Sequence, residues 1–464
     1  MKERNEKTIA AISTGLTPSG ISIVRMSGPD ALEIARRVFR GKGDLSGMKS
    51  HTIRHGFLED QGKVVDEVLL SYMKAPHSYT GEDVVEINCH GGVYVTKRAL
   101  ELVLRNGATI ASPGEFTKRA FLNGKMDLNM AEAVADVIRS ENDLALRSSV
   151  SVLRGSLSRE VKALRSALLD EIAFLEAAMD DPEHYDPDER KEEISDVLCK
   201  TGDAIDRLIA SSSQGKLAGE GVRTVISGLP NAGKSSLFNL LSGDDLAIVT
   251  EIPGTTRDVL EEKIAFGPVS LILMDTAGLR STDEPIEKIG VTKAIDAAKN
   301  ATLLLYVVDA AQGIGEEDRK NLRAASPRDK ILILNKCDAI SAEERKTLQA
   351  EADELGEAVF CFVFFSCREK EGLDDLRDAV QARFGSGALG NGTEEIIANE
   401  RQIACLRAAR ESVSEARKAL ELSVGDEFTA AEMTNAYGSL GEIIGESVGE
   451  DVIDRVFEAF CMGK

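Results

Sequence analysis

Val222-Arg-Thr-Val-Ile-Ser-Gly228-Leu-Pro-Asn231-Ala232-Gly233-Lys234-Ser235-Ser236, near the middle of a chain of 464 residues, decides how everything around it is read. A β-branched run (Val222, Val225, Ile226) leads into Gly228-x-x-x-x-Gly233-Lys234-Ser235, and Leu237, Leu240 and Leu241 follow at helical spacing. The pattern predicts a strand, a phosphate-binding loop and a helix. In such a loop, successive backbone N–H groups converge on phosphate oxygens. Lys234 adds a point charge at the β- and γ-phosphates, and the Ser235 hydroxyl can take a Mg²⁺ position.

Three more pieces follow in the order and spacing of a guanine-nucleotide domain. Asp275-Thr276-Ala277-Gly278 comes after an expected strand at Ser270 to Met274, with Asp275 placed to reach Mg²⁺ through water and the Gly278 amide to sense the γ-phosphate. Asn335-Lys336-Cys337-Asp338 ends an expected strand at Ile331 to Leu334. The Asp338 carboxylate can accept two hydrogen bonds from guanine N1 and N2, which adenine cannot supply, so the nucleotide is GTP. Ser366-Cys367-Arg368, after a strand at Val363 to Phe365, fits the last base-contacting loop, with Cys367 where a smaller alanine is commoner. In the switch segment Thr250-Glu-Ile252-Pro-Gly-Thr255-Thr256-Arg-Asp258, Thr256 is the expected Mg²⁺ ligand in the GTP state. Leu279, directly after Gly278, is apolar and cannot orient an attacking water, so catalysis must be completed from elsewhere. Asn231 offers a neutral oxygen where a monovalent cation can sit between the phosphates and supply the charge of an arginine finger.

The length suggests roughly three domains. A 43% hydrophobic, 29% charged composition is that of a soluble globular protein. No apolar run reaches the ~18 residues of a membrane span. Met1 to Lys7 is charged and Thr8 to Ile12 is too short for a signal-peptide core, so a cytoplasmic, non-membrane protein is expected. The seven cysteines are scattered without a Cys-x-x-Cys and read as free thiols. A formal charge of −22 argues against a broad nucleic-acid surface, so an RNA partner would need a local basic patch or a second protein.

Residues 1 to about 120 read as α+β, with strands at Thr8–Ile12, Gly20–Met26, Val65–Tyr72 and Val84–Asn88 and helices at Ala31–Phe39 and Val93–Asn106. Pro76 to Gly92, which contains the Val84–Asn88 strand, is dense in turn formers and polar side chains, and a plain loop with a capped helix after Gly92 is the bland alternative for it. Val150, Leu153, Leu157, Val161, Leu164, Leu168, Ile172 and Leu175 then predict one long amphipathic helix. An acidic run, Asp180 to Glu189, reads as a solvated connection. A second helix through Ile194, Leu198 and Leu208 is expected to end in a flexible exit at Ser211 to Gly215. Strand and helix alternate from 217 to about 385, and helical spacing returns at Ile403, Leu406, Val413 and Leu420 and again through Leu440, Ile444, Ile453 and Phe460. Helical stretches on both sides of an α/β unit point to an insertion.

The chain resembles the MnmE (TrmE) family of potassium-activated tRNA modification GTPases over essentially its whole length. Gly-Leu-Pro-Asn-Ala-Gly-Lys-Ser-Ser, Gly-Thr-Thr-Arg-Asp-Val-Leu and Asp-Thr-Ala-Gly-Leu-Arg carry the resemblance. So, more specifically, do the run from Pro113 to Lys125 and the terminal Phe460-Cys461-Met462-Gly463-Lys464. The resemblance implies a multidomain fold: an α+β tetrahydrofolate-binding, dimer-forming amino domain (1–122), an all-α helical domain in two halves (123–216 and 387–464), and an inserted α/β P-loop GTPase domain (217–386). It implies K⁺ bound by Asn231, Thr250, Ile252 and Thr255, and a water-orienting glutamate at Glu287, which the residues alone read as a solvated helix position. It implies a folate, as the 5-formyl or methylene derivative, held by Arg25, Glu86, Lys125 and Lys464; by themselves Arg25 and Lys125 read as surface cations. Cys461 is a structural or modification-site residue.

The expected activity is GTP hydrolysis coupled to addition of a carboxymethylaminomethyl-type group to the wobble uridine of certain tRNAs, by a homodimer joined with the FAD-dependent MnmG in a heterotetramer. A ribosome-assembly GTPase or a signalling switch would share the nucleotide motifs.

Overall fold

The computed structural model describes residues 7–181, 183–186, 190–243, 261–274, 301–325, 329–385, 399–446, 448–458, 460 and 463. The chain forms two compact units. One comprises Met1–Ala135, Leu153–Thr201 and Ala408–Lys464, the other Asp136–Val152 and Gly202–Arg407. Among the described residues no helix is long and apolar enough to cross a membrane.

In the first unit the strands are β1 (Ile9–Ile12), β2 (Ser22–Ser27), β3 (Phe39–Gly41), β4 (Thr52–Asp60), β5 (Lys63–Met73), β6 (Val84–Cys89) and β7 (Thr109–Ile110). They form one sheet in the order β3-β4-β5-β6-β2-β1-β7, antiparallel except for the β1–β7 pair. Helices α1 (Ala31–Val38) and α2 (Val93–Arg105) cover it, burying Ile34, Val38, Leu102 and Val103 with Val24, Met26, Leu70 and Ile87 of the strands. The sequence reading did not include β4, whose Arg54, His55, Glu59 and Asp60 blur the alternation. A two-residue turn at Gln61 and Gly62, both at positive φ, folds β4 back onto β5.

After α3 (Glu115–Leu122) the chain is helical: α4 (Leu128–Arg139), α5 (Asp143–Leu153), α6 (Ser156–Asp180) and α7 (Lys191–Glu220), of which α6 lies wholly in the first unit and α5, up to Val152, in the second. Two expectations are corrected here. The predicted single helix from Val150 to Leu175 is broken at Gly155, which sits in the left-handed region at φ 81° and separates α5 from α6. The predicted flexible exit at Ser211 to Gly215 is helical, and the Ser211 and Ser212 hydroxyls donate to the Leu208 carbonyl at 3.0 and 2.7 Å.

The second unit carries β8 (Val222–Gly228), α8 (Lys234–Leu241), β9 (Glu261–Phe266), β10 (Val269–Met274), β11 (Leu303–Asp309), α9 (Glu316–Ala324), β12 (Asp329–Asn335), α10 (Ala342–Asp353), β13 (Cys361–Phe364) and α11 (Leu373–Val380). The strand order is β13-β12-β11-β8-β10-β9, parallel except for β9. Both faces are buried, as the continuous apolar runs require: Leu303, Leu305 and Val307 pack on one side of β11, Leu304, Tyr306 and Val308 on the other. All five parallel strands therefore end at one edge, where a doubly covered sheet places its ligand loops.

The chain continues through α12 (Glu400–Leu422), α13 (Asp426–Ile444) and α14 (Glu450–Glu458). In the first unit α13 packs on α6 around Arg165, whose guanidinium lies 4.0 Å from the centroid of the Tyr437 ring, donates to the Tyr437 carbonyl at 3.2 Å and pairs with Glu446 at 2.6 Å.

Candidate functional site

The loop between β8 and α8 begins at Gly228 and ends with Gly233 directly before the helix. Gly233 has φ 101°, and a Cβ there would stand 2.0 Å from Nδ2 of Asn335, so only glycine fits. Asn335, 2% exposed at the end of β12, donates from Nδ2 to the Ala232 carbonyl at 2.8 Å, and its Oδ1 accepts from the Cys367 amide at 3.4 Å. One side chain thus joins the phosphate loop, the end of β12 and the loop after β13.

Asn231 lies in the same loop at φ 63° with its side chain exposed, and its carbonyl accepts from Lys336 Nζ at 3.0 Å. Lys336, itself at φ 61°, also pairs with Asp309 at 2.7 Å. Asp309 ends β11 and its other oxygen accepts from the Ala311 amide at 3.1 Å. Sequence reasoning passed over Asp309; the signal was an aspartate closing an otherwise apolar strand. Lys234 Nζ donates to the Leu229 carbonyl at 2.8 Å, which keeps the ammonium over its own loop, and Ser235 and Ser236 are exposed in the first turn of α8.

On the base side, Asp338 follows Cys337 in a short turn after β12. The Ser366 hydroxyl, with further help from the Asp338 backbone N–H and Arg368, holds the Asp338 carboxyl below its ordinary range. It is therefore an ionised acceptor at neutral pH. Ser366 is fully buried, and its Oγ accepts from the Glu369 amide at 3.1 Å. Burial pushes the Cys367 thiol up to about 11, so it is a protonated, small, weakly polar group where an alanine would serve. The structure brings Asn231, Ala232, Gly233, Lys234, Ser235, Ser236, Asn335, Lys336, Asp338, Ser366, Cys367 and Arg368 to one sheet edge. Thr250, Ile252, Thr255, Thr256, Asp275, Thr276, Ala277, Gly278 and Glu287 lie outside the described residues, as do Cys461 and Lys464.

A second polar cluster lies on the first unit. Arg25 and Glu86 are cross-strand partners on β2 and β6, and Arg25 Nε donates to Glu86 Oε1 at 2.8 Å. The Arg25 guanidinium stands 5.8 Å from the ring centroids of both Tyr79 and Phe116. Tyr79 donates or accepts at Thr117 Oγ1 (2.9 Å), and burial raises its pKa. Lys125 Nζ donates to the Pro76 carbonyl at 3.1 Å. Arg25 and Lys125 thus meet the same loop, Pro76 to Gly81, at Tyr79 and Pro76. That loop is held by the buried Arg119, which pairs with Glu82 at 3.0 Å and Glu115 at 2.8 Å, and by Asn123 donating to the Thr80 carbonyl at 2.7 Å. Ser13 Oγ, just beyond β1, donates to the Gly463 carbonyl at 3.1 Å, which brings the end of the chain to the strand paired with β2. Tyr79, Phe116 and Arg119 were given no role from the sequence, although Phe116 and Arg119 lie within the run from Pro113 to Lys125.

Two family models match: the MnmE helical domain over residues 128–461 and the GTP-binding protein TrmE N-terminus over residues 8–125. Among curated relatives, a protein of Lachnoclostridium phytofermentans called tRNA modification GTPase MnmE is 42% identical over 98% of this chain and 99% of its own length. One of the same name from Bacillus subtilis is 43% identical over 98% of this chain and all of its own length. Among solved structures, the G domain of the FeoB iron transporter of T. maritima covers 35% of this chain and 98% of that domain at 24% identity and a TM-score of 0.25. Identity above 40% along the full length, with matching models on both sides of residue 126, leaves one assignment: the chain belongs to the MnmE family.

Proposed function

We propose that the chain is a K⁺-activated GTP hydrolase. Its cycle supports addition of a carboxymethylaminomethyl-type group to the wobble uridine of certain tRNAs, together with an FAD-dependent MnmG partner. The observation that carries the nucleotide part is Asn335 tying the phosphate loop to the loop behind Asp338, with that carboxylate held ionised. Family membership carries the tRNA part, since the full-length relatives are tRNA modification GTPases by name.

In this reading the loop amides from Asn231 to Ser236 bind the phosphates and Lys234 moves from Leu229 to them. Asp338 fixes the base, with Asn335, Lys336, Ser366, Cys367 and Arg368 around it. Ser235 and Thr256 hold Mg²⁺, with Asp275 behind it, while Asn231, Thr250, Ile252 and Thr255 hold K⁺. When bound, the two cations supply positive charge beside the β- and γ-phosphates. Thr276, Ala277 and Gly278 follow the γ-phosphate, and Glu287 orients the attacking water.

Arg25, Glu86 and Lys125, with Lys464, bind a 5-formyl- or methylene-tetrahydrofolate. The donor set fits: a carboxylate for a pterin edge, cations for the anionic tail, and the Tyr79 and Phe116 rings beside them. The division at 122, 216 and 386, the homodimer, the heterotetramer and a cytoplasmic location belong to the same reading.

The test is GTP turnover in K⁺ against Na⁺, for the native chain and Asn231→Ala, with mass spectrometry of tRNA nucleosides from cells lacking the protein. K⁺ is expected to raise native turnover at least about tenfold and the variant's far less. Equal rates in both salts overturn the cation assignment, and unchanged wobble nucleosides overturn the tRNA assignment.

A further inference from the structure

Residues 136–152 belong to the unit of the nucleotide-site sheet, whereas the chain before and after them, through Ala135 and from Leu153, belongs to the other unit. This segment is fastened to the hairpin β9–β10. Glu141 forms an ion pair with Lys263 on β9. Asn142 Nδ2 donates to Ser270 Oγ on β10 at 3.2 Å, and the Leu144 amide donates to the Pro268 carbonyl in the hairpin turn at 3.4 Å. The Leu144 side chain, 6% exposed, packs in the same core as Phe266, Val269 and Leu271. Asn142 Oδ1 also accepts from the Ala145 amide at 2.8 Å, so the residue that grips the hairpin is the one that starts α5.

The hairpin's place in the sequence gives this fastening its meaning. β9 begins three residues after the switch segment ending at Asp258, and β10 ends at Met274, directly before Asp275. The hairpin is the covalent link between the two nucleotide-sensing segments. Simple packing would be served by Leu144 alone; it does not call for a buried serine on β10 aimed at the cap of a helix that continues into another unit.

We propose that Glu141, Asn142 and Leu144 are positioning residues that lock α5 to the β9–β10 hairpin. A shift of the hairpin with the state of the nucleotide is then carried along 136–152 into the chain at Ala135 and Leu153. The inference rests on the GTP cycle proposed above and assigns its output coupling to this segment.

The test uses the full-length protein. Glu141→Lys sets two ammonium groups against each other, and Glu141→Lys with Lys263→Glu restores an ion pair of reversed sense. Three quantities are read: GTP turnover, amide hydrogen exchange over residues 156–180 with GDP against a non-hydrolysable GTP analogue, and wobble-uridine modification in cells whose sole copy is the variant. Glu141→Lys is expected to keep turnover within about twofold, to lower modification about fivefold or more, and to erase the nucleotide-dependent difference in exchange. The reversed pair is expected to recover both. Ser270→Ala, which removes the partner of Asn142 without adding charge, is expected to follow the same pattern and decides the matter if Glu141→Lys fails to fold.

Turnover falling in step with modification overturns the proposal, because the residues then serve the nucleotide site itself. So does an unchanged exchange difference in the variants, or a reversed pair that recovers nothing. A native chain with normal modification but no exchange difference overturns this coupling alone, whereas native cells without the wobble modification overturn the function proposed above.

Discussion

At the scale of single residues, the guanine side of the site is a matter of charge on one carboxylate. In the function proposed above, Asp338 accepts from two guanine N–H donors only while ionised, and hydrogen bonds to a charged acceptor are worth about 1.5–3 kcal/mol each. Asp338→Asn keeps one acceptor and adds an N–H₂ donor, which opposes guanine N2 but matches the carbonyl that xanthine carries at that position. GTP binding is expected to weaken roughly a hundredfold, and XTP to bind better than GTP, as read by titration with fluorescent analogues. Equal loss for both nucleotides would remove Asp338 from the base site. The pH sign follows from the same residue. Its pKa in the folded chain is lowered from 3.8, chiefly by the Ser366 hydroxyl, so the acceptor is present above the folded value and is lost only as pH falls through it. Nucleotide affinity is therefore expected to stay level as pH falls toward the ordinary carboxylate value. The motif residues were legible because each is a local pattern with its own chemistry. Asp309, Tyr79, Phe116 and Arg119 were not, because each acts by meeting a residue that is distant in sequence. Of the partners of Arg119, Glu115 lies one turn away on α3, whereas Lys7 and Glu82 become its neighbours only when the start of the chain before β1 and the end of the Pro76 loop come to α3.

At the scale of elements, the carboxy-terminal helices are seated on the amino half of the first unit by close backbone approach. Gly114, the cap before α3, has φ 66°, and a Cβ there would stand 2.6 Å from the Phe457 carbonyl and 3.0 Å from Phe460 Cβ. Lys118 on α3 pairs with Asp454 on α14, and the rings of Phe457 and Phe460 meet tilted at 43° with centroids 5.2 Å apart beside Phe121. Gly114→Ala therefore meets both a left-handed backbone and a carbonyl that must move, a cost of about 1–3 kcal/mol. The expected outcome is a melting temperature lower by several degrees and faster protease cleavage near residue 448, with GTP turnover held. An unchanged protease pattern would show that α14 is held by other contacts. The elements that the sequence misjudged share one cause. Leu153 and Leu157 are four apart, so the apolar stripe keeps its phase across Gly155 and hides the break between α5 and α6. The serines after Leu208 look like a linker by composition, yet two of their hydroxyls satisfy the helix's own carbonyl. Periodicity reports which face is buried; where a helix stops depends on single dihedrals.

At the scale of the whole molecule, charge governs what the protein meets by itself. A net −22 spread over 464 residues repels a polyanion at long range. Several of the cations that the structure describes are committed within the chain: Arg25 to Glu86, Arg119 to Glu82 and Glu115, Arg165 to Glu446, Arg190 to Glu171, Lys336 to Asp309. At those positions a phosphate would have to displace a carboxylate. The tRNA surface is therefore expected to come mainly from the partner proposed above, and the salt dependence of binding tests this directly. Each neutralised phosphate contributes roughly −0.9 to the slope of log K against log salt on a duplex and about −0.7 on a single strand. For this chain alone, anisotropy titrations with a substrate tRNA between 50 and 200 mM salt are expected to give a slope no steeper than about −2. A dissociation constant weaker than about 10 μM is expected near 150 mM. Adding the proposed FAD-dependent partner should steepen the slope to that of several phosphates and tighten binding at least about tenfold. A steep slope with submicromolar binding by this chain alone would instead place the tRNA surface here, and the committed arginines above would be the first to substitute in locating it.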